Sequence, residues 1–333
     1  MEIVLTGKGG PEMLTVRDAE TPMPGRGEVR VRVEASGVSF AEVQMLRGRY
    51  PMQPKFPFVP GYDLVGTVTE VGAEVRDVRV GDRVAAMTRT GAWRTHVVLK
   101  AARAVRVPAG IEPGTAAAVV MNGVTAWQMA HQVARVREGQ TVLVHGASGG
   151  VGSLLVRLAV RAGARVLGTA SASKHEAVRA LGAEPIDYRA GDVPARVREL
   201  APGGVDAVFD HVGGQSLVDS YALLADGGIV VSYGSASTLR DEGHWLKPYL
   251  GMIGRFLGWQ LGRLTGRGRG RRATFYYVKP GPRFAEALRQ VFALVERGEL
   301  EPTIEARYPL EKAAEALGRL ADGTATGKIV LEA

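Results

Sequence analysis

From Thr141 to Val278 the chain alternates between short apolar runs and stretches with helical spacing. The runs are "TVLVH", "RVLGT", "EPIDY", "VDAVFD", "GIVVSY" and "ATFYYV". After the first run, Val151, Leu154, Leu155, Leu158, Ala159 and Ala162 recur at i, i+3, i+4, i+7 spacing, with Arg157 and Arg161 opposite. That spacing marks an amphipathic helix. Strand–helix alternation predicts a parallel sheet covered by helices on both faces. Before Thr141 the pattern differs. "EVRVRVEASGVSF", "DLVGTVTEVGA" and "GDRVAAMTRTGAWRTHVVLK" alternate with a period near two and are cut by Gly and Pro, which predicts a twisted, mostly antiparallel β region. The end of the chain, "RYPLEKAAEALGRLADG" then "GKIVLE", reads as a helix and a strand that return to this β region. The expected fold is α/β. A β domain covers 1–120 and is completed by 300–333, and a doubly wound six-stranded parallel domain covers 121–299.

Composition changes this picture in three places. A length of 333 residues fits two domains. The absence of cysteine excludes disulfides, thiolate-held zinc and a cysteine nucleophile. The start "MEIVLTGKGGPEML" has no basic region followed by an apolar run, and no stretch reaches the ~18 apolar residues of a membrane span. A cytoplasmic protein is expected. The net charge of +8 is local: nine basic residues and no acidic one lie between Gly243 and Ala285, so the rest of the chain sums to −1. Any acidic partner must be met there.

The turn "GASGGVG" after the first strand carries the clearest chemistry. Ala147, Gly149 and Gly152 fill the three small positions of a [G/A]-x-G-x-x-G pattern. A small first residue allows a sharp turn. The second lets backbone amides approach a pyrophosphate, and the third lets the helix pack closely on the strand. The helix N-terminus then offers its dipole and unpaired amides to the phosphates. Ala147, Ser148, Gly149, Gly150, Val151 and Gly152 are therefore expected to bind a dinucleotide. After the second strand, an NAD site places a carboxylate for the ribose 2′-hydroxyl. Here Ser171, Ser173 and Lys174 stand instead, with no acid before Glu176. Hydroxyls and an ammonium would hold a 2′-phosphate, so NADPH is the expected cofactor. The two serines can equally cap the following helix.

At this point the sequence resembles the medium-chain dehydrogenase/reductase superfamily, in its zinc-independent quinone oxidoreductase-like branch. The resemblance spans nearly the whole chain. It rests on "SGVSFAEVQMLRGRYP", "PFVPGYDLVGTVTEVG", "VGDRVAA", "NGVTAWQM", "VLVHGASGGVG", "LGAEPIDYR", "VDAVFDHVGG" and "TGKIVL", in the family's order. It implies a GroES-like β domain, a Rossmann domain and a cleft between them, and a homodimer. It also implies that Ser171, Lys174 and Tyr188 contact the 2′-phosphate and adenosine, that Thr125 lies near the nicotinamide, and that Tyr233 and Gly234 approach the cofactor. Asn122 and Lys328 stand in matching motifs, and the resemblance implies that they too bind the cofactor. Zinc-dependent relatives carry a cysteine after the first "SG" and a histidine in "GHE". This chain has Val38–Ser39 and Tyr62 there, and its six histidines show no metal-type spacing. No metal site is expected.

Without zinc as a Lewis acid, conjugated acceptors are the natural substrates. Hydride adds to the β-carbon of an enone, an enoyl thioester or a quinone, and hydrogen-bond donors steady the charge that moves to oxygen. Tyr50 in "RGRYP" resembles the tyrosine of enoyl thioester reductases in this superfamily; its other reading is a pocket-lining aromatic. Tyr62 is a second candidate donor or a packing residue beside "PG". Glu42 either orients a donor or binds backbone amides, and Asp210 either faces the cofactor or caps a strand end. The alternative functions are ketone or aldehyde reduction, and a cofactor-binding, membrane-associated regulatory protein with little turnover.

The basic segment 245–272 has Leu246, Leu250, Ile253, Phe256, Leu257, Leu261 and Leu264 in approximate helical phase, and Gly254, Gly258 and Gly262 on a shared face. It reads as a helix packed on its own domain or on a dimer partner. Two further readings are contact with an anionic membrane and an arginine-rimmed lid for an acidic carrier. Arg-Gly runs also bind nucleic-acid backbones, but no recognition motif accompanies them.

Overall fold

The computed structural model describes residues 1–240, 247–265 and 268–333. The chain forms two compact units, Met1–Val124 with Val278–Ala333, and Thr125–Tyr277.

The first unit opens with the hairpin β1 (Glu2–Leu5) and β2 (Leu14–Arg17), followed by β3 (Glu28–Val38) and the short helix α1 (Phe40–Leu46). Then come β4 (Asp63–Val71), β5 (Arg83–Met87), β6 (His96–Lys100) and β7 (Val105–Arg106). β3 pairs antiparallel with both β4 and β6, and β4 pairs antiparallel with β5. The alternation seen in the sequence has its cause here: Val29, Val31, Val33, Leu64, Val68, Val84 and Ala86 all point into one core. Helix α2 (Pro113–Trp127) carries the chain into the second unit.

The second unit contains β8 (Thr141–Val144), α3 (Gly150–Arg161), β9 (Arg165–Ala170), α4 (His175–Ala180) and β10 (Glu184–Asp187). It continues with α5 (Val193–Leu200), β11 (Val205–Asp210), α6 (Gln215–Ala222), β12 (Leu224–Ser232), α7 (Lys247–Leu264) and β13 (Arg272–Phe275). The six strands lie parallel in the order β10-β9-β8-β11-β12-β13. Each of the six apolar runs contributes one strand. The order reverses beside β8, the switch point of a doubly wound sheet. In α3, Leu154, Leu155, Leu158 and Ala159 are buried, while Val151 and Ala162 are only partly so.

The chain then returns to the first unit through α8 (Pro282–Glu296), β14 (Ile304–Pro309), α9 (Ala313–Ala321) and β15 (Lys328–Glu332), which pairs antiparallel with β3. The return begins at Val278, earlier than the expected boundary at 300. Burial explains the difference. Phe284, Leu288, Val291 and Phe292 on α8 are all buried, and a Cβ on Gly123 of α2 would meet Val291. The stretch 278–299 thus belongs to the β unit.

Helix α7 departs from its expected phase. Its packing face is made by Met252, Phe256 and Trp259, which pack on the core of the parallel sheet, with Trp259 stacked on Tyr221 at 4.2 Å. Ile253, Leu257 and Leu261 are 53%, 61% and 63% exposed. No atom lies within 4 Å of a Cβ placed on Gly254, Gly258 or Gly262, so the close neighbour expected at that face is not found among the described residues. Trp245, Leu246, Gly266 and Arg267, together with the side chains of Leu250 and Leu264, lie outside the described residues. No helix of the described residues is long and apolar enough to cross a membrane.

Candidate active site

In the second unit the glycine turn joins β8 to α3. Its small residues have different reasons to be small. Gly146 has a positive φ of 64°, and a Cβ there would sit 2.5 Å from the His211 ring. A Cβ on Gly152 would be driven into the Gly146 carbonyl oxygen. That is the helix–strand contact expected of the third small position. Ala147 is buried against Gly168 of the neighbouring strand. Gly149 is different: a Cβ there meets nothing closer than the Gly146 carbonyl oxygen at 3.3 Å. It N-caps α3 with no side-chain cap. Ser148 is buried, whereas Gly150 and Val151 are partly exposed. Gly149 and the first-turn amides thus form an open cradle that suits a diphosphate.

Beneath the turn lies a polar network. Asp210 Oδ1 accepts from the Val212 and Gly213 amides at 2.8 Å each, and Oδ2 accepts from Ser216 Oγ at 2.8 Å and Ser220 Oγ at 2.9 Å. Of its two readings, Asp210 takes the strand-end cap. His145 meets Ser220 Oγ at 3.0 Å and Thr169 Oγ1 at 3.3 Å. Burial holds both His145 and His211 below the usual imidazole range, so they are neutral at pH 7.

The residues expected around the 2′-phosphate come together at the carboxyl ends of β9 and β10. Ser171 Oγ lies 3.3 Å from Ser173 Oγ, and the Lys174 amide donates to the Ser171 carbonyl at 2.9 Å. Ser171 begins a single turn of 3-10 helix but makes no side-chain cap bond, so the capping reading of these serines is not realised. The Tyr188 amide donates to the Ala170 carbonyl at 3.4 Å, which places Tyr188 beside Ser171, and Tyr188 is 48% exposed. The Arg189 guanidinium lies 5.5 Å from the centre of the Tyr188 ring. Arg189 was not among the expected residues, and its place directly after an expected adenosine contact is the signal that marks it. Tyr233 follows β12, its amide donating to the Asp210 carbonyl and its ring 6.0 Å from that of His211. A Cβ on Gly234 would meet the His211 carbonyl oxygen at 2.7 Å. Thr125 is buried beside Tyr276, whose phenol donates to Gln128 Oε1 at 2.6 Å.

In the first unit, Tyr50 and Tyr62 are both buried and their hydroxyls hydrogen-bond to each other, with the rings edge to face. The two candidate donors therefore form one pair. Asn122 is buried in α2. A second cluster lies where β3, α1, β4 and β15 meet. Lys328 is 3% exposed and its Nζ donates to Ser39 Oγ at 2.8 Å. The Ser39 amide donates to Glu42 Oε2 at 2.9 Å, and the Gly37 amide donates to Asp63 Oδ1 at 2.7 Å. Glu42 thus takes the amide-binding reading. Glu42 Oε1 and Asp63 Oδ2 are buried without a hydrogen-bond partner. Burial pushes the Glu42 carboxyl up to about 8 against the pull of Lys328, and it raises Asp63 as well.

A zinc-binding dehydrogenase family model matches residues 181–331, and an alcohol dehydrogenase GroES-like domain model matches residues 25–121. The human synaptic vesicle membrane protein VAT-1 homolog is 32% identical over 348 residues, covering 99% of this chain and 85% of its own length. This chain belongs to the medium-chain dehydrogenase/reductase superfamily, in its quinone oxidoreductase-like branch. Its first unit carries the GroES-like domain and its second the Rossmann sheet, and it is an oxidoreductase of that superfamily. Two crystal structures of quinone oxidoreductases superpose over 100% of this chain and 99% of theirs. The Escherichia coli enzyme, complexed with NADPH, gives a TM-score of 0.87 at 27% identity. The Pseudomonas syringae pv. tomato enzyme gives 0.85 at 32%. Zinc, named in one family model, does not fit these residues. The chain has no cysteine, Tyr62 is bonded to Tyr50, and no group of three or more His, Cys, Asp or Glu side chains among the described residues could hold an ion.

Proposed function

We propose that this oxidoreductase uses NADPH, without zinc, to reduce a conjugated acceptor: a quinone or an α,β-unsaturated carbonyl compound. The observation that carries the acceptor class is the buried Tyr50–Tyr62 hydroxyl pair. A phenol both donates and accepts, so the pair supplies donor chemistry of the kind conjugate reduction needs. Conjugate reduction needs one proton at the α-carbon in addition to the hydride. NADPH is favoured by Ser171, Ser173, Lys174 and Arg189 around the end of β9, where no carboxylate directly follows the strand. It is favoured too by the cofactor of the Escherichia coli relative.

NADPH, when bound, supplies the hydride. The open cradle at Gly149 and the α3 amides would hold the pyrophosphate, and Tyr188 would face the adenosine. Thr125, Asn122, Tyr233 and Gly234 would lie toward the nicotinamide. The Tyr50–Tyr62 pair would deliver the proton, which bulk water then replaces.

NADPH oxidation followed with an enone and a quinone in parallel tests this reading, with the organic product identified. Saturated ketone or hydroquinone is expected. Allylic alcohol from the enone would favour carbonyl reduction instead.

A second reading, cofactor binding joined to membrane attachment with little turnover, is favoured by one observation. Ile253, Leu257 and Leu261 form an exposed row in a segment with no acidic residue. Salt-sensitive co-sedimentation with anionic liposomes, together with absent turnover, would establish it. The homodimer remains part of the proposal through the family, and sedimentation velocity tests it.

A further inference from the structure

We infer that Ser39 is the hydrogen-bond donor that holds the acceptor's reacting oxygen, and that Lys328 is the positioning residue that makes it a strong one. The inference rests on the reductase reading and adds a residue to that site.

The direction of hydrogen bonding supplies the first step. An ammonium has three donors and no acceptor, so in the 2.8 Å contact Lys328 Nζ must donate and Ser39 Oγ must accept. The serine's own hydrogen is therefore not spent on the lysine. Among the described residues Ser39 Oγ is seen only as an acceptor, from Lys328 and in the capping box of α1. Ser39 is half-buried, whereas Lys328, Asp63 and Glu42 behind it are fully enclosed. Ser39 is thus the one of these four residues that is not fully enclosed, and its hydroxyl hydrogen is the donor the cluster can offer to a ligand.

The second step is electrostatic. A hydroxyl whose lone pair is engaged by an ammonium is polarised and donates more strongly. Such a donor is worth most where negative charge develops in a water-poor place. Burial lowers the Lys328 ammonium from its usual range, and the Asp63 carboxylate, itself anchored by the Gly37 amide, favours its charged form. Ser39 is held in turn through its amide on Glu42. Ser39 and Tyr62 are also the residues that stand where zinc-dependent relatives carry metal ligands. An electrophile at that place is thus built here from a hydroxyl backed by a fixed ammonium.

The third step is steric. Gly37 has no positive φ, so backbone conformation does not require glycine there. A Cβ would lie 2.5 Å from Lys328 Cε and 2.6 Å from Nζ. Glycine at 37 leaves the passage through which the lysine reaches Ser39.

In the reaction, hydride arrives at the β-carbon and the π-electron pair shifts onto the carbonyl oxygen, giving an enolate. Ser39 Oγ–H donates to that oxygen. The α-carbon takes a proton from the Tyr50–Tyr62 pair, and the carbonyl re-forms.

The test compares wild type, Ser39→Ala, Ser39→Thr, Lys328→Met and Gly37→Ala with NADPH and 3-nonen-2-one or menadione as probes. Ser39→Ala is expected to lower kcat about 100-fold while leaving the KM for NADPH within about twofold. Ser39→Thr, which keeps the hydroxyl, should restore most of the rate. Lys328→Met should lower kcat as far as Ser39→Ala, and the double variant should be no slower than either single one. Gly37→Ala should reproduce the lysine defect. If Ser39→Ala keeps kcat within twofold of an active wild type, the inference is overturned and the reductase reading stands. Equal loss in Ser39→Ala and Ser39→Thr, tracking a fall in melting temperature, would reduce Ser39 to a helix cap and also overturn it. Should wild type bind NADPH yet reduce neither probe, the reductase reading itself fails, and the inference with it.

Discussion

Two buried carboxylate sites sit in the two units and have opposite characters. Asp210 accepts four hydrogen bonds, two from backbone amides and two from serines. It is saturated, and it supports the glycine turn by holding the loop that carries His211. Glu42 and Asp63 each keep one oxygen bound and one without a partner, beside a buried lysine. A saturated network specifies structure. An unsaturated one is costly to fold and persists where its charge does something. The same contrast divides the glycines of the turn, since Gly152 is pressed against the backbone and Gly149 is open.

The largest expected effect strikes the saturated site. Asp210→Ala orphans two amides and two hydroxyls in a dry region, so stability should fall by about 3 kcal/mol or more. Thermal unfolding would register this as a large drop in melting temperature. A variant as stable as wild type would remove the distinction between the two sites.

Next in size is the glycine pair. Gly152→Ala should destabilise the second unit by a few kcal/mol, on the order of an overpacked core position, because no room exists for the methyl. Gly149→Val should leave melting near wild type and weaken NADPH binding by about 100-fold or more. Calorimetric titration alongside melting separates the two. Normal NADPH affinity in Gly149→Val would mean that the phosphates lie elsewhere.

Smaller still is the loss from Lys174→Ala. A charge-assisted contact contributes about 1.5–3 kcal/mol, so NADPH affinity should fall roughly tenfold or more while NADH affinity changes little. Equal loss for both cofactors would argue against 2′-phosphate recognition at Lys174.

The finest test concerns pH. The folded Glu42 carboxyl titrates at about 8 against 4.5 unfolded, with Lys328 from β15 and Asp63 from β4 acting on it. Between those values the folded chain holds a proton that the unfolded chain has released. This contribution to stability therefore declines as pH rises through the window and is lost above about 8. Buried His145 and His211 run in the opposite sense, so the informative quantity is a difference. The melting temperature of Glu42→Gln minus that of wild type should grow from pH 5 to pH 8, and parallel curves would show that Glu42 does not titrate in this way.

Much of the fold was legible because periodicity reports burial. All six parallel strands lie on apolar runs, and the turn is a local motif whose geometry follows from residue size. The phase of α7 was not legible. Its apolar residues nearly encircle the helix, and only the contact with Tyr221 and the sheet core selects Met252, Phe256 and Trp259 as the inner face. The return at 278 was hidden for a similar reason, since the partners of α8 lie far away in sequence. Tyr50 and Tyr62 could be read singly as candidates, but their mutual hydrogen bond could not. Lys328 stands 289 positions from Ser39, and no local pattern announces that contact.

The most direct test of the central claim is to follow the transferred hydride. Wild-type protein would be incubated with NADPH deuterated at the transferable C4 position and with 3-nonen-2-one, and the product examined by NMR. The account predicts saturated ketone carrying deuterium at the β-carbon. Allylic alcohol with deuterium on the carbinol carbon, or cofactor bound without turnover of either this enone or menadione, would contradict it.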